Sequence, residues 1–106
     1  MYNEKLKKII KYYGVKNQLK YWATEVQELN EAIIEYEIKQ TKKEHKHIIE
    51  ELGDNLVMLK QIQSFYGIDD EDLVEIMEFK IDRQINRIID NELDKRKGKN
   101  ENNICD

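Results

Sequence analysis

The sequence predicts an all-α fold, a bundle of four helices, and three observations carry that expectation. The 106 residues hold no proline and only four glycines, whereas a sandwich or barrel would need many turns. Leu, Ile, Tyr and Val return at three- and four-residue spacing, the pattern of helices with one apolar face. At 12.8 kDa the chain has room for one domain and no second core of comparable size. A single helical domain is expected over 1–96, followed by a flexible polar tail over 97–106.

The first helix is expected from Asn3 to Tyr13, stopping at Gly14, a natural left-handed C-terminal position. The second runs from Lys16 or Asn17 to Gln40, with Leu19, Trp22, Ala23, Val26, Leu29, Ala32, Ile33 and Tyr36 as its apolar stripe. Thr41-Lys42-Lys43 is the expected break. The third runs from Glu44 to Tyr66, with Ile48, Leu52, Leu56, Leu59 and Ile62 inward and Gly67 ending it. Asp69 reads as the N-cap of the fourth, and Asp70, Glu71 and Asp72 complement the positive end of its dipole. That helix carries Leu73, Ile76, Met77, Ile81, Ile85 and Ile88 and fades near Arg96. Short connections favour antiparallel neighbours, hence a bundle.

Composition narrows the function. Eighteen Lys and Arg against 22 Asp and Glu give a net charge of −4. Residues 1–20 hold six lysines and one Glu, either the wet face of a helix or a surface that meets phosphates. The acidic balance and the lack of an extended basic stripe argue against nucleic acid as a partner. No apolar run is long enough to span a membrane, and Met1 to Lys11 is too lysine-interrupted for a signal peptide, so a cytoplasmic location without a membrane partner is expected. Cys105, the single cysteine, rules out an internal disulfide and a four-cysteine zinc site.

Four acids intrude on the apolar stripes. Glu25 and Glu28 lie three apart on the second helix, and Glu51 and Asp54 three apart on the third. Each pair therefore shares one helix face, one turn apart. A buried carboxylate without a partner costs several kcal/mol or takes up a proton. Two antiparallel helices would bring the four carboxylates together, and a hard divalent cation such as Mg²⁺ would satisfy them. The alternative reading of these acids is an ordinary solvated face.

Glu25-Val-Gln-Glu28-Leu-Asn-Glu-Ala-Ile, followed after 22 intervening residues by Glu51-Leu-Gly-Asp54, resembles the MazG-like nucleotide pyrophosphohydrolases. These belong to the all-α NTP pyrophosphatase superfamily, together with dimeric dUTPases and phosphoribosyl-ATP pyrophosphohydrolase. The resemblance covers roughly residues 18–87. It implies that Glu25, Glu28, Glu51 and Asp54 bind Mg²⁺ or Mn²⁺. It also implies cleavage of a nucleoside triphosphate to the monophosphate and pyrophosphate, and assembly as a homodimer or homotetramer. Lys80 and Arg83 resemble the family's phosphate contacts, with a solvated helix face as the alternative. The sequence departs from the family at Thr24, often a further Glu, at Asn55, usually apolar, and at Glu78, often Asn.

Glu28 is the expected proton acceptor for the attacking water, and Glu51 the second catalytic carboxylate. Trp22 either stacks on the base or belongs to the core or a dimer interface. His45 and His47 point apart and read as solvent-exposed. Gly53, in the middle of a helix, is expected to let another helix approach closely. Two rival functions stand beside the pyrophosphohydrolase: a non-catalytic helical interaction or regulatory module, and a superfamily relative acting on dUTP or phosphoribosyl-ATP.

Overall fold

The computed structural model describes residues 3–105, with side chains over 3–98. Four α-helices and no strand are found among the described residues: α1 (Asn3–Tyr13), α2 (Val15–Lys39), α3 (Lys42–Phe65) and α4 (Asp70–Cys105). The chain divides into two compact units, Met1–Ile68 and Asp69–Asp106.

In the first unit, α1, α2 and α3 pack pairwise on one another. Leu6 and Ile10, four apart, form the buried stripe of α1. Gly14 takes φ 86°, which costs an L side chain dearly. Its N–H closes α1 on the Ile10 carbonyl at 2.8 Å, and its own carbonyl accepts from Gln18 N–H at 3.1 Å to open α2. Gln40 in the left-handed conformation ends α2, and Thr41 caps α3 while its hydroxyl donates to the Glu44 carboxylate. This two-residue connection folds α2 and α3 into an antiparallel hairpin. Gly67 (φ 63°) ends α3 in a Schellman turn, with Ile68 N–H on the Gln63 carbonyl at 3.0 Å and Gly67 N–H on the Ser64 carbonyl at 3.3 Å.

The second unit is α4. The Asp69 carbonyl accepts its first bond, from Leu73 N–H, at 3.2 Å, as an N-cap residue does. The helix continues past Arg96, where it was expected to fade, to Cys105. The side chains of residues 99–106, Cys105 included, lie outside the described set.

The buried face is not the expected one. On α2, Ala32 is buried and Trp22, Leu29 and Tyr36 are half-buried, but Leu19, Val26 and Ile33 are exposed. On α3, Leu52, Leu56 and Leu59 were expected inside and stand in solvent. Asn55, Met58 and Gln61 fill the interior instead, facing Gln18 and Glu25 of α2. The helices have turned a largely polar seam inward. A Cβ at Gly53 would meet nothing within 4 Å among the described residues, so neither α1 nor α2 approaches it closely.

Candidate metal centre

The α2–α3 hairpin sets the site. Because Glu25 and Glu28 are one turn apart on α2, both reach the same side of it, and the antiparallel return of α3 brings Glu51 alongside. One carboxylate oxygen from each of Glu25, Glu28 and Glu51 lies within 4.8 Å of the others. Glu25 is 4% exposed, Glu51 half-buried and Glu28 exposed. Two full like charges about 4 Å apart repel by on the order of 4 kcal/mol near a protein surface, a repulsion that a cation, a proton on the buried Glu25 or the His47 partner of Glu51 relieves.

The donors fit a cation. All three are hard oxygen ligands of the type Mg²⁺ selects. Oε2 of Glu25 and Oε2 of Glu51 are buried without a protein hydrogen-bond partner, as are Nε1 of Trp22 and Oε1 of Gln61; buried polar atoms of this kind are met by a water or an ion. Burial pushes the Glu25 carboxyl above the usual carboxylate range, and the charges of Glu28 and Asp54 push it further. The Tyr21 hydroxyl, one turn earlier, hydrogen-bonds Glu25, and that negative charge raises the phenol in turn.

Asp54, expected as the fourth ligand, is exposed and stands outside the three-acid cluster, yet close enough to act on Glu25 electrostatically. It borders a cleft of about 490 Å³ whose wall includes Tyr13, Gln18, Tyr21, Glu25 and Gln61. A second depression of about 560 Å³ is lined by Glu28, Glu31, Glu35, His47 and Glu51, among others.

Trp22 does not line the cleft; it is half-buried, with its indole N–H unpaired. Tyr13 and Tyr21 are the aromatic residues that line the cleft with Glu25 and Asp54, and the four-residue spacing of Tyr21 and Glu25 on α2 was the signal available for Tyr21. Lys80 and Arg83 are exposed residues of α4, in the second unit. His45 and His47 are exposed, as expected. His47 nonetheless pairs with Glu51, Nε2 to Oε1 at 3.2 Å, a contact legible from the four-residue spacing alone. His45 packs edge-on against Tyr36 across the hairpin, ring centroids 5.6 Å apart. Among the described residues no helix is long and apolar enough to cross a membrane. No protein-family model matches this chain, and no curated protein or solved structure matches it either.

Proposed function

We propose that the protein is a divalent-metal-dependent nucleoside triphosphate pyrophosphohydrolase of the MazG-like type. The observation that carries this reading is the convergence of Glu25, Glu28 and Glu51 within 4.8 Å, two of them with a buried and unpaired oxygen. Glu25, Glu28 and Glu51 would hold Mg²⁺, or Mn²⁺ in its place, with Asp54 beside them. When bound, such a cation neutralises polyphosphate charge and lowers the pKa of a coordinated water.

The chain's own groups supply the rest. Glu28 is the most exposed of the three carboxylates and the one placed to accept a proton from water entering from the open side. Water adds to the α-phosphorus, the bond to the bridging oxygen breaks, and the products are a nucleoside monophosphate and pyrophosphate. The tyrosine-lined cleft offers a nucleoside a flat apolar wall within reach of the acids. On the resemblance alone, Lys80 and Arg83 of α4 would be phosphate contacts. The exposed apolar faces of α2 and α3 support self-association as a homodimer or larger.

The test is pyrophosphate release from a panel of canonical, deoxy and damaged nucleoside triphosphates, dUTP and phosphoribosyl-ATP, with Mg²⁺ and with chelator. Mg²⁺-dependent release from at least one of them is expected. No release from any would leave the helical interaction module as the better reading.

A further inference from the structure

Asn55 lies one turn beyond Glu51 on α3 and is 5% exposed. Its carboxamide nitrogen uses both hydrogens on main-chain oxygens. Nδ2 donates to the carbonyl of Glu51 at 2.8 Å and, across the hairpin, to the carbonyl of Glu25 at 3.0 Å. The two residues it grips by their backbones are two of the three whose carboxylates form the acidic cluster, and the two that carry a buried unpaired oxygen.

We infer that Asn55 is the positioning residue of the candidate metal centre, fixing the register of α3 against α2 so that Glu51 meets Glu25 and Glu28. This rests on the metal-binding reading above.

Three considerations lead there. Both carbonyls lie inside helices and already accept an intrahelical bond, so neither needs Asn55 for its own satisfaction; each has a second lone pair to give. A leucine of similar size could fill the position and would need no partner, so packing alone does not call for an amide. The contact also acts where register is least secure. The neighbouring leucines, Leu52 and Leu56, are about half exposed and so lend less grip between α2 and α3 than buried leucines would. Meanwhile the three carboxylates push the helices apart whenever they are charged and uncompensated. Sliding α3 by one residue moves Glu51 about 1.5 Å along the axis and turns it by roughly 100°, which takes it out of the cluster. A bond from side chain to backbone resists that movement directly, because it ties main chain to main chain.

The test uses the full chain and Mn²⁺ alone as probe, with free Mn²⁺ measured by electron paramagnetic resonance. Wild type is expected to bind. Asn55→Leu should bind Mn²⁺ more weakly by about tenfold or more, the usual loss when an outer support of metal ligands is removed. Its melting temperature in chelator should match wild type, since leucine leaves no buried group unpaired. Asn55→Ser keeps one donor and should fall between the two in affinity. Wild-type affinity in Asn55→Leu overturns the role of Asn55 while leaving the metal reading standing. Absence of Mn²⁺ binding by wild type overturns both. A loss of affinity matched by a comparable loss of stability in chelator is general loosening, and also overturns the role. Where Asn55→Leu does not fold by circular dichroism, Asn55→Ser decides alone: wild-type affinity there overturns the inference.

Discussion

The inner and outer faces of the α2–α3 hairpin are built from opposite materials. Inside lie Gln18, Glu25, Asn55 and Gln61, all buried, with Ala32 and Met58 among them. Outside lie Leu19, Val26 and Ile33 of α2 and Leu52, Leu56 and Leu59 of α3, each between 37% and 51% exposed. An ordinary amphipathic hairpin has this the other way round. Buried carboxylates and amides bring a desolvation penalty that apolar residues would not, so the inner face makes physical sense as a place prepared for a ligand. Exposed leucines at heptad-like spacing lose the stabilisation that burial would give them, and the self-association proposed above would restore it. One helix pair thus presents two unmet demands, polar within and apolar without.

Each demand can be broken separately. The largest effect is expected at Glu51→Gln, which keeps size and helix propensity and removes one charge from the inner face. Pyrophosphate release should drop by orders of magnitude while the circular dichroism spectrum is unchanged; turnover equal to wild type would remove Glu51 from the chemistry. Next comes the outer face. Light scattering on wild type should give at least twice 12.8 kDa, and Leu56→Asp, which plants a charge on that face, should lower the mass toward a single chain. A wild-type mass near 12.8 kDa at micromolar concentration, with full activity on dilution, would leave the leucines unexplained.

Smaller, and again on the inner face, is the effect of metal on stability. Mg²⁺ at a hundred times its dissociation constant should stabilise the fold by about 2.7 kcal/mol, raising the melting temperature by several degrees over chelator. Glu25→Gln should abolish most of that shift. The smallest effect is expected from α4. Lys80→Ala and Arg83→Ala should raise KM for the nucleotide a few-fold and leave the Mg²⁺-dependent melting shift untouched. A lost shift in either would mean that they support the fold or the acids instead of the phosphates.

The four helices were legible because each has its own punctuation. Gly14 and Gly67 hold positive φ and Asp69 opens α4, while the break expected over Thr41-Lys42-Lys43 narrows to Gln40 and Thr41, with Lys42 already in α3. The acids were legible because spacing of three on a helix leaves no freedom about which side they share. What escaped was the direction of the apolar face. Periodicity shows that Leu52, Leu56 and Leu59 lie on one side of α3, but it says nothing about whether a helix of the same chain or of another covers that side. Asn55 and Gln61 read as surface residues by type, and only the fold reveals them buried, with Asn55 bonded to two backbone carbonyls. Asp54 marks the same limit from the other direction. It shares a face with Glu51, yet a shared face left it outside the cluster that Glu51 joins.

The central claim is that the polar seam exists to hold a divalent cation. Its most direct test is a crystal structure of the full chain grown with Mn²⁺, read by anomalous scattering. The account predicts a single strong peak, or a closely spaced pair, bonded by carboxylate oxygens of Glu25, Glu28 and Glu51, with Oε2 of Glu25 no longer unpaired. A map with no anomalous peak there, and with Glu28 and Glu51 turned away into solvent, would contradict it.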